Sequence, residues 1–336
     1  FVDFASAFKP GDRIFIISSI FGGTGASGFP LLLKNLRGLS ADMPNYASIQ
    51  EAPIGAITVL PYFDVKPEDD SAIDSSTFIG KTKAALQYYE KNVNGDKSSL
   101  NVLYYVADNR ANQYDNNEGG TGQQNNAHIV ELISALSIVD FVSIPDDDPI
   151  LSCIEDDNFR VYAPNAKFRE FGIENDVKEV LFSNLSQTTR DILCVPMTQF
   201  VLFSKYIKEH LRGAINQPWA VDNGITDAFL KSSYANNLKK FTEAYLAWLE
   251  EMADNDRGFK PYKLSVKGSD LYSIVDGVKP DSIKALWAFN KSGYDLFDAA
   301  LNDKQSSLSK NYSLNQKFTE LFCIVGKLLV DKKFKF

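Results

Sequence analysis

The densest run of residues able to do chemistry is Phe21-Gly22-Gly23-Thr24-Gly25-Ala26-Ser27-Gly28. Glycines let a backbone take positive φ and approach an anion closely. Amides at the start of a following helix, together with its dipole, supply the attraction. Thr24 and Ser27 add hydroxyl donors. This is phosphate chemistry, and a plain structural turn is the reading that competes with it. Gly23, Gly25 and Gly28 have the raw GxGxxG spacing of a dinucleotide loop, but the first acid after the next strand is Asp64, too distant for the ribose acid expected about 20 residues on. No GxxxxGK[ST] occurs, which excludes a P-loop.

Other reactive residue types are sparse. The two histidines, His128 and His210, lie on separate helical patterns without metal spacing, and a cap or helix-surface role suits both. Cys153, Cys194 and Cys323 are far apart among apolar neighbours, which fits buried free thiols in a reducing compartment and gives no disulfide framework. No GxSxG elbow is present. Asp69-Asp70 and Asp146-Asp147-Asp148 lack the spacing of a calcium loop, and the latter reads as a solvated turn. A second glycine run at 119–122 sits in an Asn-rich stretch and reads as linker.

The elements that must position the first run follow from periodicity. Residues 13–19, RIFIISS, form a nearly continuous apolar run suited to a strand buried on both faces of a parallel sheet. After the glycines, Pro30 reads as a first-turn residue, and Leu31, Leu32, Leu33, Leu36 and Leu39 continue at helical spacing. The pattern predicts strands at 56–63 and 100–107, a helix at 80–93, and loops at 66–77 and 108–124. Asn125 or Asn126 is expected to cap a helix whose face carries Ile129, Leu132, Ile133, Leu136 and Val139. Beyond Pro145 a short strand at 159–162 is followed by helical patterns at 189–211, 226–253, 281–289, 294–301 and 314–330, with one further strand at 262–266. The aromatic stripe of the 226–253 pattern reads as core or partner interface.

The stretch RIFIISSIFGGTGASGFPLLLKNL resembles the signature segment of the tubulin/FtsZ superfamily, in which a buried strand feeds a GGTGSG-type loop that cradles the phosphates of GTP. This chain carries an extra alanine in that loop, which displaces Ser27 by one position. The resemblance covers about residues 1–142. It implies nucleotide contacts from Gly22, Gly23, Thr24, Gly25, Ala26 and Ser27, a ribose contact from Asp64, and guanine recognition by Asn109 in Asp108-Asn109-Arg110, with Asn126 or His128 as further candidates. It also implies GTP or GDP with Mg²⁺, a cytoplasmic location, nucleotide-controlled self-assembly, and an earlier half of the nucleotide domain upstream of Phe1. The family's hydrolytic acid has no clear counterpart: Asp140-Phe141 lies inside a helical pattern without the accompanying asparagine and reads as structural.

The bulk numbers frame these expectations. The chain has 336 residues, 44% hydrophobic and 23% charged, enough for a sizeable core or two domains. A net charge of −8 disfavours a broad electrostatic grip on nucleic acid or anionic lipid. No apolar run is long enough to span a bilayer. The expected fold is α/β, a parallel sheet with flanking helices (tubulin/Rossmann-like) over 1–145, followed by a mainly helical second domain over 146–336. A GTP-binding assembly protein is the leading expectation. A non-enzymatic scaffold with a degenerate site and an NAD(P)-dependent Rossmann enzyme are the alternatives.

Overall fold

The computed structural model describes residues 1–66, 76–93, 98–110, 113–115, 126–156, 159–163 and 171–336. It divides into two compact units, Phe1–Gly172 and Ile173–Phe336.

The first unit is built on three parallel strands, β1 (Ile14–Ser19), β2 (Ile54–Val59) and β4 (Val102–Val106), in the order β1-β2-β4. Register is continuous, from Ile14 opposite Ile54 to Ser19 opposite Val59, and from Gly55 opposite Val102 to Val59 opposite Val106. Only the central strand β2 is buried on both faces; β1 and β4 are edge strands and Ile17 is 63% exposed, so the burial expected for residues 13–19 on both faces is not met. One face buries Ile16, Ile54 and Ala56 against α2 (Gly23–Arg37), α3 (Tyr46–Glu51) and α4 (Ser76–Asn92), which contribute Phe29, Leu33, Leu36, Ile49 and Tyr89. The short α1 (Val2–Ala7) adds Ala5 to the same cluster. The opposite face buries Ile57 and Tyr104 against Phe141 and Ile144 at the end of α5 (Ile129–Ser143). Gly55 makes this packing possible: a Cβ there would stand 2.9 Å from the rings of both Phe15 and Phe141. Two small pairings complete the unit: β3 (Asp64–Val65) runs parallel to β5 (Gln113–Tyr114), and β6 (Cys153–Asp156) forms a hairpin with β7 (Phe159–Tyr162).

The hairpin places the division after Gly172, later than the change in composition at Pro145. It is tied back to the first unit: the Tyr162 hydroxyl donates to the carbonyl of Gln50 at 2.8 Å, and Arg37 lies 3.6 Å over the Tyr162 ring. Arg37 also donates to the carbonyls of Ser99, Gln50 and Ala52, and burial pulls its pKa down to about 10.

The second unit is mainly helical: α6 (Gln187–Glu209), α7 (Pro218–Asp222), α8 (Asp227–Leu230), α9 (Ser233–Ala253), α10 (Gly293–Lys304) and α11 (Leu314–Lys333), with a single parallel pairing of β8 (Glu179–Val180) and β9 (Gly258–Phe259). Tyr206, Trp219, Phe297, Phe318 and Phe322 fill its core. The buried Asp298 carboxylate accepts from the Tyr206 hydroxyl and the Trp219 indole, and pairs with His210 at 2.7 Å. Those donors satisfy a charge that burial would otherwise make costly.

Several sequence expectations are corrected. The second strand is 54–59 and not 56–63, because the chain leaves the sheet at Leu60-Pro61, where proline has no N–H to offer the ladder. The helix expected over 226–253 breaks: α8 ends, and Ser232 caps a new helix by accepting from the Ala235 amide at 3.2 Å. Residues 262–266 form no strand, and Tyr262 makes only an isolated bridge to Val275. The helix expected over 281–289 is one 3-10 turn, Leu286–Ala288. The glycine run at 119–122 and Asp69-Asp70 lie outside the described residues.

Candidate functional site

The site suggested by the sequence gathers at the C-terminal ends of the parallel strands, where α/β proteins place their ligand crevices. The glycine run is not a loop in this structure. Gly22 is the N-cap of α2, with φ −100° and ψ 152°, and Gly23 through Gly28 already lie in the helix. None of these glycines takes a positive φ. Gly25 is required for a different reason: its Cβ would stand 2.1 Å from the carbonyl oxygen of Ser19, so the helix could not approach the end of β1 with any other residue there. At Gly23 and Gly28 a Cβ would meet nothing within 4 Å.

The first turn of α2 has the features of an anion seat. Gly22, Gly23 and Thr24 are exposed, and no side chain caps the helix. The amides of Gly23, Thr24 and Gly25 precede the first intrahelical bond, which runs from Ala26 N–H to Gly22 O at 3.1 Å. Ala26 therefore offers no free amide. The Ser27 hydroxyl donates to the Gly23 carbonyl at 2.7 Å, one turn back along the helix. Pro30, expected in the first turn, sits well inside α2. It leaves the Ala26 carbonyl without its helical donor, and the Tyr89 hydroxyl of α4 fills that place at 2.9 Å.

Around this turn stand aromatic residues that the sequence reading passed over. Phe21 packs edge-on to Phe63 at 5.6 Å and lies 6.4 Å from Tyr62, both on the exit from β2, and Phe63 reaches Tyr114 of β5. The clue was present in the PYFD sequence after a buried strand, a dense aromatic cluster in a loop. Asp64, expected at a ribose, is paired with Arg110 at 2.8 Å. This bond joins the exits of β2 and β4.

Asn109 and Asn126 are both exposed, and neither side chain hydrogen-bonds to the first turn of α2 among the described residues. Asn126 does not cap α5, and Asn125 lies outside the described residues. His128 caps the helix instead: its Nδ1 accepts from the Val130 amide at 3.1 Å, and Glu131 reaches back to the His128 amide. With Nδ1 occupied as an acceptor, the ring proton sits on Nε2, which faces Asp108 at 3.5 Å in a buried pair. Tyr62 lies against the His128 ring and donates to Glu131 at 3.3 Å; desolvation first, then that carboxylate, pushes its phenol far above the ordinary range. Asp140 is buried and accepts from the Tyr104 hydroxyl at 2.7 Å, in keeping with a structural acid.

The arrangement can bind an anion by backbone amides and can flank it with aromatic faces. Among the described residues no three His, Cys, Asp or Glu side chains come together as a metal site. No family model matches this chain, and no curated protein or solved structure matches it either.

Proposed function

We propose that this chain is a tubulin/FtsZ-like nucleotide-binding protein that seats the phosphates of GTP or GDP on the first turn of α2, and that the bound nucleotide controls self-assembly. The observation that carries the reading is the exposed, uncapped start of α2 at the C-terminal end of a parallel strand, held there by Gly25 against Ser19. Amides of Gly23, Thr24 and Gly25 point three donors at one place, and the helix dipole adds to the field. Phe21, adjacent to Gly22, joins Tyr62 and Phe63 in an aromatic cluster against which a base would pack. Mg²⁺ would be held chiefly by phosphate oxygens and water, as that ion prefers, since the nearby Asp64 and Asp108 already face Arg110 and His128.

The test is equilibrium binding of a fluorescent GTP analogue, with GDP, ATP and NADH as competitors, alongside sedimentation with and without GTP. Guanine nucleotides should compete best, and sedimentation should require GTP. Gly23→Ala should weaken binding about tenfold or more without lowering the unfolding midpoint, because a Cβ at 23 meets no protein atom but stands where phosphate would approach. Gly25→Ala should instead cost stability, about 1–3 kcal/mol, by forcing α2 off Ser19. Equal affinity in Gly23→Ala and the parent would remove the nucleotide from this turn. Assembly indifferent to nucleotide would favour the scaffold alternative, and retention of NADH the Rossmann one.

A further inference from the structure

The second unit carries a surface feature unrelated to the nucleotide reading. In the 3-10 turn Leu286–Ala288 and its cap, Leu286 is 100% exposed and Phe289 is 74% exposed. In a 3-10 turn, residues three apart stand one above the other, so these two apolar side chains share one side. Their projection is fixed. Ala288 between them is buried, Trp287 lies under the Lys332 ammonium at 5.5 Å, and the Asp281 amide is bonded to the carbonyl of Lys333 at 2.8 Å. Two large apolar side chains exposed together on one side of an anchored turn form a contiguous patch of the kind that marks an interaction surface.

The surrounding charge indicates what it meets. Lys284 and Lys291 flank the turn and are exposed, and Lys332 and Lys335 lie beside it at the end of α11. Of the nearby acids, Asp281 is paired with Lys335 at 2.6 Å, Asp303 with Lys304 at 3.0 Å and Asp298 with His210, and Asp295 shares a groove on α10 with Trp287 and Lys291. At physiological salt the Debye length is about 8 Å, so this local excess of cations acts largely apart from the net charge of the whole chain. An apolar tip flanked by Lys284, Lys291 and Lys332 is complementary to an anionic bilayer: the apolar groups enter the headgroup boundary and the ammonium groups meet lipid phosphates.

We infer that the Leu286–Phe289 turn is a membrane-docking tip that seats this protein peripherally on anionic lipid.

The test is co-sedimentation of the full chain with vesicles of phosphatidylcholine alone and of phosphatidylcholine with phosphatidylserine. Binding should require phosphatidylserine and fall with added salt. Leu286→Asp with Phe289→Asp should reduce it about tenfold or more, and Lys284→Glu with Lys291→Glu should reduce it by a similar factor. These side chains are exposed, so circular dichroism should match the parent. The vesicle-induced shift of tryptophan emission should disappear in Trp287→Phe. Failure of the folded parent to bind either vesicle overturns the inference, as does binding undiminished in Leu286→Asp/Phe289→Asp. A parent that elutes as a larger species than that variant without lipid would show that a second copy covers the tip, and would overturn it as well.

Discussion

The Ala26 carbonyl shows how one residue type dictates another across the fold. Pro30 lacks the amide that would bond the carbonyl four residues earlier, so the helix is left with an unsatisfied acceptor next to its exposed first turn. Tyr89 supplies the donor from α4 and is itself fully buried. Tyr89→Phe should therefore lower stability by about 1–2 kcal/mol, the cost of an orphaned buried group. In a Pro30→Ala background the backbone amide returns and the same change should cost clearly less, which a double-mutant cycle by chemical denaturation would measure. Equal costs in both backgrounds would mean that the hydroxyl serves another partner. None of this was legible in the sequence, where Pro30 reads as a first-turn residue and Tyr89 is only part of the helix expected over 80–93.

At the scale of elements, legibility followed the range of the forces involved. The β1 and β4 runs and the helices α5, α6, α10 and α11 were readable because their apolar periodicity is a local property. The start of α2 was not, because glycines carry no helical signal and only the approach of Gly25 to Ser19 fixes where the helix begins. The nucleotide candidates fared similarly: the glycines could be named from spacing, whereas the Asp64–Arg110 pair and the cluster around Phe21 depend on where loops return. Arg13 is a further case. It reads as the first residue of a strand, yet its guanidinium donates to the carbonyls of Phe141 at 2.8 Å and Ile144 at 2.7 Å, closing the C-terminus of α5 from a position more than a hundred residues earlier. Arg13→Met should cost about 1–3 kcal/mol, since it strips donors from partly buried carbonyls. Asp146→Asn should leave the midpoint unchanged, because Asp146 is exposed and an exposed ion pair contributes little. If the two variants lose equal stability, the ion pair and not the cap holds this end of the helix.

For the molecule as a whole, the buried proton donors combine into one pH dependence. Burial pushes the Cys194 thiol up to about 12 and the Tyr89 phenol up to about 12, and desolvation is also the leading cause of the upward shifts at Tyr206, Tyr245, Tyr262 and Tyr272. These groups are acids whose neutral form is favoured by the fold. Below about pH 7.5 the folded and unfolded states both keep these protons and the stabilisation is complete. As pH rises from about 8, the unfolded chain releases its thiol proton and then its phenol protons while the folded chain keeps them, so stability falls progressively through about pH 8–12. The unfolding midpoint should be flat near pH 7, begin to fall above about pH 8 and drop steeply beyond about 9.5, and Cys194→Ala should soften the first part of that fall. The same burial sorts the thiols. Of the three thiols expected to be buried only Cys194 is; Cys153 and Cys323 are exposed, and partial burial with the neighbouring Glu320 holds the Cys323 thiol above its ordinary value. At pH 8 a thiol reagent should modify Cys153 fastest and Cys323 more slowly, leaving Cys194 to react only in denaturant. Three equivalent thiols in the native protein would mean that the core around α6 opens far more readily than the packing of Tyr206, Phe322 and Trp219 allows.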